Sequence, residues 1–551
     1  CFMAKNNDRA ALRWLFRHTE GHRGSLAVII AGNALFAAAG TAFALFCRGV
    51  IDSAVAGDSG GILKYALLLA GTVLLQLVLR LVCNSLSEQV TARCEMDIRS
   101  GILSKLLSAE SGSVRKYHSG ELLNRMFSDA DICAGAISDI VPTAVNLVTQ
   151  LVCAAVLMIV LEPWFALLFT AAGALLFAVT RLLRGRLKGL HKQVQEKGGV
   201  VRSFLQEALE SLPVIKVFGA GNRVERRNSE NQQAHYDIRM KRRTFGILAG
   251  AGFSLVFQAG YVLALVWGAF GIFSGSMTYG TLTAVLQLVN QIQSPFAGLS
   301  SLFPQYYAAA ASAERIMELE ALPQEKPAEN TLSYADFREL RVSGLSFSYG
   351  RNDVITRADF TLQKGSVTAL TGISGGGKST LFMLLLGVYQ PQGGKIEFTG
   401  TDGACPPGQS VREMLAYVPQ GNCLFSGTIR ENISFLSENP DDERIMQAAE
   451  AACAAGFIGE FPEGLDTRIG EGGAGLSEGQ AQRIAVARAL YSGAGFLLLD
   501  EATSALDEQT ESRLLENIAA MDGKTVLIVT HRPAALRICT QKLTLKDGVI
   551  E

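Results

Sequence analysis

The feature that most constrains this chain is a run of 70 residues, from Thr244 to Ala313, without a single Asp, Glu, Lys, Arg or His. A helix of about 20 apolar residues crosses a bilayer. The run therefore has room for two crossings, with a turn at Ser274–Ser276. Core helices of soluble proteins rarely stay uncharged over such a length, so the sequence predicts a region embedded in a lipid bilayer.

Four more apolar runs precede this one, which makes six predicted spans. Charged residues make up only 18% of the 551 residues, against about 25% in soluble proteins. The predicted transmembrane domain covers residues 1–319, with spans at about 24–47, 65–87, 137–161, 164–181, 245–273 and 279–305.

The distribution of Lys and Arg predicts the orientation of these spans. Residues 181–243, between the fourth and fifth spans, contain 15 of them, whereas the turn at 274–280 contains none. Because basic loops remain in the cytoplasm, the amino terminus, both long loops and the region after the last span are predicted to be cytoplasmic. We expect a multi-pass protein of a bacterial plasma (inner) membrane.

The two long loops have apolar residues at helical spacing between charges, at 90–107 and 200–218. They predict membrane helices that continue into the cytoplasm, each pair closed by a short turn helix near 109–118 and near 210–221. Solvated charged hairpins without a partner are the alternative.

A polar stretch at 320–338 is predicted to be a linker, and residues 339–551 alternate short β-branched runs with helices, as in an α/β domain. Ten cysteines include no CxxC pair, which favours free or buried thiols over a zinc site or a disulfide framework. The net charge of −1 gives no reason to expect a nucleic-acid partner.

A phosphate-binding loop opens the second region. The buried strand 366–371 runs into the pattern GxxxxGK[ST] and then a helix, which is the context that this motif requires. Glycines let backbone N–H groups wrap phosphates, Lys378 would neutralise the β- and γ-phosphates, and Ser379 would bind Mg²⁺. The loop residues predicted to hold the nucleotide are Gly372, Ser374, Gly375, Gly376, Gly377, Lys378, Ser379 and Thr380.

A second apolar strand, 495–499, ends in Asp500 and Glu501. An acidic residue at the end of a buried strand is costly unless it has a function. Asp500 is predicted to hold Mg²⁺, and Glu501 to act as the general base that polarises the attacking water. The alternative is a pair of carboxylates that cap the following helix.

Between these motifs lies LSEGQ, at 476–480. Ser477 and Gln480 match an S-x-x-Q capping box at the start of a helix. Such a start also offers a hydroxyl and free N–H groups to an anion, so both interpretations stand.

The order of these motifs closely resembles the ATP-binding cassette of ABC transporters: the phosphate loop, YVPQ at 417–420, LSEGQ, LLLDEATSALD at 497–507 and His531. The hairpin segments 97–129 and 214–218 also resemble that family. The resemblance implies a multi-domain membrane protein with a six-helix transmembrane domain and long cytoplasmic helical extensions, followed by an α/β P-loop ATP-binding cassette at 339–551. It implies ATP and Mg²⁺ as cofactors.

The resemblance also implies further roles. Tyr349 would stack on adenine, with a core-strand aromatic as the alternative. Gln420 would contact Mg²⁺ and the attacking water, and His531 would hold the γ-phosphate and orient Glu501. Ser477, Gly479 and Gln480 would meet ATP bound by a partner cassette, and Asp507 would face that partner.

The resemblance therefore predicts an ATPase coupled to transport, a half-subunit that exports an unknown substrate as a homodimer by alternating access. One departure favours a heterodimer with one weakened ATP site, because Glu478 replaces the first glycine of the family's LSGGQ. Intact Glu501 and His531 favour the homodimer. An importer of the same fold and an ATP-gated channel or sensor remain alternatives.

The sixth span is the most polar and is predicted either to line the substrate pathway or to bond to other helices, with equal weight. Its polar residues are Gln287, Asn290, Gln291 and Gln293.

Overall fold

The computed structural model describes residues 2–325, 327–328, 330–350, 352–401, 403–421, 423–435, 437–521 and 523–551. Side chains are described throughout these ranges except at 2–9, 168–184, 187–188, 249, 253, 296–297, 299–301, 303, 352 and 534. The chain forms two compact units. One contains residues 1–103 and 119–319, and the other contains residues 104–118 and 320–551.

The first 320 residues are almost entirely helical. A π-helical turn, Arg125–Asp129, interrupts the series before its sixth α-helix. The helices are α1 (Phe2–His18), α2 (Arg23–Val55), α3 (Ser59–Ser108), α4 (Ser111–Val114), α5 (Ser119–Asn124), α6 (Ala130–Leu161), α7 (Pro163–Glu210), α8 (Leu212–Val217), α9 (Gly221–Phe273) and α10 (Tyr279–Glu320).

Six long helices contain the six predicted spans. Within the described residues, four stretches are long and apolar enough to cross a membrane: 20–55, 59–108, 119–161 and 221–273. The predicted spans at 164–181 and 279–305 lie in α7 and α10. Residues 168–181 of the first, and several residues between 296 and 303 of the second, lie outside the described side chains.

The predicted extension of the helices well beyond the length of a membrane span is confirmed. Helix α3 has 50 residues and α9 has 53, which at 1.5 Å per residue is about two and a half times the thickness of the hydrocarbon core. The short turn helices are also confirmed, as α4 and α8. Helix α4 belongs to the same compact unit as the α/β region, and α8 belongs to the helical unit.

One of the polar residues in the sixth span bonds to a neighbouring helix. The Oε1 atom of Gln291 accepts a hydrogen bond from the Thr41 hydroxyl at 3.2 Å, and its Nε2 donates to the Gly40 carbonyl at 2.8 Å. Both partners lie on α2. For Gln291, therefore, the helix–helix alternative is correct, because its amide is used to join α10 to α2.

Residues from 337 onwards form an α/β unit. Its helices are α11 (Lys378–Leu385), α12 (Ile429–Ser434), α13 (Asp442–Ala451), α14 (Ala455–Glu460), α15 (Glu478–Tyr491), α16 (Glu508–Ala519) and α17 (Pro533–Ile538). Its strands are β1 (Phe337–Tyr349), β2 (Asn352–Gln363), β3 (Val367–Gly372), β4 (Gly393–Gly400), β5 (Gly403–Cys405), β6 (Leu415–Val418), β7 (Gly427–Thr428), β8 (Arg468–Ile469), β9 (Phe496–Asp500), β10 (Thr525–Val529), β11 (Gln541–Lys546) and β12 (Val549–Ile550).

Ten of these strands form one sheet in the order β5-β4-β1-β2-β12-β11-β3-β10-β9-β6. Pairing is parallel from β11 through β3, β10 and β9 to β6. Every residue of β9 and β10 is buried, as expected for parallel strands covered on both faces. Their apolar sequence is the reason that these strands occupy the centre.

Alternate residues of β9 enter two separate cores. Leu497 and Leu499 pack with buried residues of α12 to α16. Phe496 and Leu498 pack on the opposite face with β1, β2, β4 and α11. Because successive side chains of a strand point to opposite faces, this pattern fixes the register of β9 and so the position at which Asp500 leaves the sheet.

Candidate nucleotide-binding and hydrolysis site

Four adjacent parallel strands end at one edge of the sheet. Leu370 of β3 pairs with Val529 of β10, and Val529 pairs with Asp500 of β9. Leu499 pairs with Val418 of β6. Every chemical motif predicted for this chain's own ATP site follows one of these ends: the phosphate loop, His531, Asp500 with Glu501, and Gln420. Ligands of open parallel sheets bind at this edge.

Glycine is required by geometry at two positions of the phosphate loop. A Cβ at Gly372, where φ is +150°, would lie 2.3 Å from the Leu545 carbonyl oxygen. A Cβ at Gly377, where φ is +98°, would lie 2.6 Å from a methyl group of Val354. Gly377 is the residue before α11. The loop therefore turns sharply into a helix amino terminus, where N–H groups are available to an anion.

The Lys378 ammonium lies inside this loop. The residue is only 5% exposed, and its Nζ donates to the carbonyls of Gly372 at 2.8 Å and Ile373 at 2.9 Å. These carbonyls hold the cation in the curve of the loop without neutralising it. The arrangement keeps a full positive charge where phosphates are predicted.

The carboxyl of Asp500 is 1% exposed. Burial raises its pKa, while a hydrogen bond from Ser379 and the charge of Lys378 act against this rise. The hydroxyl of Tyr417 lies 3.5 Å from its Oδ2 atom, and burial together with Asp500 raises the tyrosine pKa. Among the described residues no cation forms an ion pair with Asp500. The structure thus joins Ser379 and Asp500, two of the three residues predicted to hold Mg²⁺.

Glu501, the predicted base, adopts a left-handed conformation with φ of +51°. Such a conformation is costly for a residue with a side chain, and such residues cluster at functional sites. Its Oε2 atom accepts a hydrogen bond of 2.9 Å from Nε2 of Gln420. The predicted base and the predicted water-contacting amide are therefore neighbours. His531, at the adjacent strand end, is exposed.

Tyr349 is half-exposed rather than a core aromatic. Its hydroxyl lies 3.2 Å from the Thr380 hydroxyl, beside the phosphate loop, and its ring packs edge-on against Tyr389 with centroids 5.6 Å apart. Tyr389 in turn hydrogen-bonds to Arg115, which lies just after turn helix α4 and places its guanidinium over the same ring. The Glu110 amide also donates to the Pro323 carbonyl at 2.8 Å. Helix α4 is thus anchored beside the predicted adenine-stacking residue.

The LSEGQ segment forms the predicted capping box. The Ser477 hydroxyl accepts from the Gln480 amide at 3.3 Å, and the Gln480 side chain accepts from the Ser477 amide at 2.9 Å. A Cβ at Gly479 would lie 2.9 Å from the Ala505 carbonyl oxygen, so only glycine fits there. Glu478 is exposed. Gly479 packs against Ala505 and Leu506. In the part of the chain that the structure describes, no hydrogen bond joins this segment to the phosphate loop.

Asp507 caps helix α16, accepting a hydrogen bond of 2.9 Å from the Thr510 amide. This bond lowers the pKa of its carboxyl. Its side chain therefore caps this helix, in addition to the role that the resemblance implies for it.

The sequence did not single out three polar residues near this edge: the buried Gln482 and Glu511, and Arg532, which is partly exposed. Two of them carried a signal. Glu511 lies three, four and seven residues before Leu514, Leu515 and Ile518, on the apolar face of α16, where a carboxylate is out of place. Arg532 directly follows His531.

The described residues contain no cluster of three or more His, Cys, Asp or Glu that could hold a metal. The predicted Mg²⁺ set has a single carboxylate, with one hydroxyl and one amide. Such a set suits Mg²⁺, which retains several waters and also binds phosphate oxygens.

Two family matches agree with this division of the chain. Residues 26–296 match the ABC transporter transmembrane region, and residues 355–504 match the ATP-binding part described as ABC transporter. A solved structure described as a bacterial Atm1-family ABC exporter with ATP bound shares the fold, with a TM-score of 0.79 at 23% identity, over 95% of this chain and 94% of that one.

Curated relatives identify the family to which this chain belongs. An ATP-dependent lipid A-core flippase of Desulfotalea psychrophila is 30% identical over 78% of this chain and 76% of that protein. The flippase of the same description from Vibrio vulnificus is 28% identical and aligns over the whole chain and 95% of its own length. An ABC transporter B family member 1 of Dictyostelium discoideum is 30% identical, and this chain spans half of its length.

These matches cover both regions, and the motifs predicted for this chain's own ATP site follow adjacent strand ends at one edge of the sheet. The protein is a multi-pass membrane protein whose cassette binds nucleotide, and half-transporters of this kind act as dimers. The chain belongs to the ABC transporter family, as an ATP-driven half-transporter of the exporter type.

Proposed function

We propose that two copies of this chain form a homodimer that hydrolyses ATP with Mg²⁺ at two shared sites and exports an amphiphile. The observation that carries the proposal is the convergence of the phosphate loop, the Ser379–Asp500 contact and the Gln420–Glu501 hydrogen bond at one sheet edge. A sensor that only binds ATP has no need of a general base held by an amide.

Each side chain then has a defined task. Lys378 and the loop amides bind the phosphates, and Tyr349 stacks on adenine. Ser379, Gln420 and Asp500 hold Mg²⁺, which when bound neutralises charge on the β- and γ-phosphates. Glu501 accepts a proton from the attacking water, and His531 orients this base. Ser477, Gly479 and Gln480 bind the γ-phosphate of ATP on the other copy, next to its Asp507.

Two variants separate binding from hydrolysis. Glu501→Gln should bind ATP as the wild type does and lose hydrolysis by about 10²–10⁴-fold, because only the base is removed. Lys378→Ala should lose ATP binding itself. Fluorescent-nucleotide titration and phosphate release measure the two. Glu508→Gln, an exposed glutamate at the start of α16, is the matched control. Near-normal hydrolysis by Glu501→Gln would refute the assignment.

The exported amphiphile is proposed from the relatives named as lipid A-core flippases. Their names support a lipid-like substrate with a polar head and apolar chains. Lipid A and a phospholipid of matched chain length can be titrated against ATPase activity in nanodiscs. Saturable stimulation by either lipid supports the proposal, and the absence of stimulation by both lipids would contradict it.

Glu478 supports a second candidate, one half of a heterodimer with a weakened ATP site. Its carboxylate is exposed beside the residues that would meet the partner's γ-phosphate, where like charges repel. Glu478→Gly should then raise ATP affinity, whereas Glu508→Gly, at the same position of α16, should not. An inactive wild type that gains activity from a second chain would favour this candidate.

The cytoplasmic placement of the cassette is part of the proposal, on the basis of the 15 basic residues at 181–243. Protease digestion of inside-out and right-side-out vesicles tests it.

A further inference from the structure

The first helix, α1, has one face that the rest of the helical unit covers. Ala11, Trp14 and Leu15 are buried on that face, and α1 packs against α6. The His18 Nδ1 atom lies 3.0 Å from the Trp14 carbonyl oxygen, and the two rings are 4.1 Å apart. Apolar packing therefore fixes the position of α1 and decides which of its faces points outwards.

The outward face of α1 combines two cations with an aromatic ring. Arg13, Phe16 and Arg17 are exposed, and Phe16 keeps 57% of its surface accessible. Residues three and four apart lie side by side on a helix, so the ring is flanked by both guanidinium groups. We call these three residues the basic face. An exposed ring among cations differs from an ordinary solvated surface, which has little use for a large apolar group.

The basic face lies close to the point where the chain enters the predicted membrane. A short turn, Glu20–His22, connects α1 to α2, and the uncharged run of the first predicted span begins at Gly24. His22 Nε2 lies 3.5 Å from Asp97 Oδ2 on α3, which holds this turn in place. From Arg17 to Gly24 a helical path measures about 10 Å. Charges interact over about 8–10 Å at physiological salt, so the headgroups are within range.

The charge of this segment is positive. Residues 5–23 contain five Lys or Arg and two acidic residues, Asp8 and Glu20. Glu20 accepts a hydrogen bond of 3.0 Å from Arg23. The excess of cations complements an anionic surface.

A comparison with α3 indicates which part of a bilayer suits the basic face. Exposed residues of α3 within its predicted span, such as Leu67, Leu74 and Leu81, are apolar, as expected against acyl chains. The basic face instead has guanidinium groups, which bind phosphate through paired hydrogen bonds. It also has a ring of the kind that enters the boundary between headgroups and acyl chains. The combination fits the headgroup region.

We propose that the basic face of α1 binds anionic phospholipid in the leaflet at which α2 enters the membrane. Arg13 and Arg17 contact the phosphates, and Phe16 enters the boundary beneath them. The bound lipid stabilises the packed position of α1 beside α6. The proposal concerns the lipid around the protein, so it depends neither on the exported substrate nor on the number of copies.

The first test measures lipid affinity. Phosphatidylglycerol and phosphatidylcholine of equal chain length are titrated into the full-length protein in detergent, and native mass spectrometry counts the bound molecules. Arg13→Gln and Arg17→Gln together should weaken the tightest phosphatidylglycerol binding about 25-fold, because each basic residue near an anionic surface strengthens binding about fivefold. The phosphatidylcholine affinity should not change.

The matched control removes two arginines at the same spacing elsewhere. Arg223 and Arg227 are exposed near the start of α9. Arg227 lies 18 residues before the predicted span that begins at residue 245, which is about 27 Å of helix. Arg223→Gln and Arg227→Gln together should leave phosphatidylglycerol binding unchanged.

The second test locates the contact within the bilayer and leaves both arginines in place. Phe16→Trp is made in the full-length protein in nanodiscs, and the emission of the wild type, which has three tryptophans, is subtracted. Phosphatidylglycerol brominated near the headgroup should quench the added emission at least about twofold more than brominated phosphatidylcholine, because basic residues concentrate anionic lipid. Val217→Trp, at an exposed position of α8, is the control and should not be quenched.

Three results would overturn the proposal: equal affinity of the wild type for both lipids, unchanged phosphatidylglycerol binding after loss of Arg13 and Arg17, or an unquenched tryptophan at position 16. Equal losses in the control pair would also overturn it, because overall charge rather than this face would then attract the lipid. All readouts are taken without nucleotide. A failure of the proposed homodimer would therefore leave them unchanged, and the two proposals fail separately.

Discussion

Two carboxylates, one in each unit, are equally buried and have opposite surroundings. Asp129 of the helical unit and Asp500 of the cassette are both 1% exposed. Asp129 accepts from Arg315 Nε at 2.8 Å and from the Ser312 hydroxyl at 2.9 Å, which join the π-helical turn to α10. Asp500 contacts hydroxyl groups, and burial raises its pKa. The first acid is paired with a cation by the fold, whereas the second has no ion-pair partner among the described residues.

Burial alone therefore does not identify a catalytic acid. A buried carboxylate with its own arginine stabilises packing, and removal of the cation is costly. A buried carboxylate that faces hydroxyl groups and a nearby Lys378 is destabilising until a metal or substrate arrives. Three predictions test this contrast, and a fourth concerns helix packing in the helical unit.

The largest effect is expected at Asp500. Asp500→Asn should lower kcat for ATP at least about 100-fold, because metal stabilisation of the transition state is worth several kcal/mol. Asp129→Asn should leave the ATP affinity of the cassette unchanged, as its partners all lie in the helical unit. Phosphate release and nucleotide titration provide the two readouts. Equal losses of kcat in both variants would remove the distinction.

In the helical unit the expected effect is on stability rather than on catalysis. Arg315→Met leaves Asp129 buried without its cation and should cost about 3–5 kcal/mol. Asp129→Asn should cost less, because the Arg315 side chain is 43% exposed and can be hydrated. Thermal melting in nanodiscs compares the two. A larger loss for Asp129→Asn would show that this ion pair is not what stabilises the turn.

A third prediction concerns pH and Mg²⁺. Because burial raises the folded-state pKa of Asp500, the folded protein binds this proton more tightly than the unfolded chain does. The stability that this proton contributes is fully present below the unfolded-state pKa and is lost as the pH rises through the folded-state pKa. Without nucleotide at neutral pH, Asp500→Asn should melt at a higher temperature than the wild type. ATP with Mg²⁺ should raise the melting temperature of the wild type alone. A lower melting temperature for Asp500→Asn without nucleotide would contradict the account.

The smallest effect is expected where α10 meets α2. Gln291→Leu removes both hydrogen bonds to α2 and should cost about 1 kcal/mol, since each such bond within membranes contributes about 0.6 kcal/mol on average. Asn290→Leu is the control, because among the described residues Asn290 donates to the Leu286 carbonyl of its own helix and not to α2. If Gln291→Leu instead abolishes substrate-stimulated ATPase without a change in melting, Gln291 belongs to the transport pathway.

Much of the cassette could be predicted from the sequence, because its motifs are local. The phosphate loop, the Asp500–Glu501 pair and the Ser477–Gln480 capping box each lie within a few residues, next to strands or helices with clear periodicity. The long helices were predictable from the length of the uncharged runs for the same reason.

The contacts that join distant segments could not be predicted. Gln482, Glu511 and Arg532 come from three separate elements and meet at residues 503–506, in the connection from β9 to α16. Arg315 and Asp129 lie 186 residues apart. Gln291 had two equally good interpretations, since its polarity suits a water-filled pathway as well as a bond to α2. Only the position of α2 decides between them.

The central claim is that this chain alone forms an ATP-hydrolysing homodimer. The direct measurement is the native mass and the ATPase activity of the same purified nanodisc sample, for the wild type and for Glu501→Gln. The account predicts a particle with two copies of the chain that hydrolyses ATP and is silenced by Glu501→Gln. A monomer, or a dimer of two copies without ATPase activity, would contradict it.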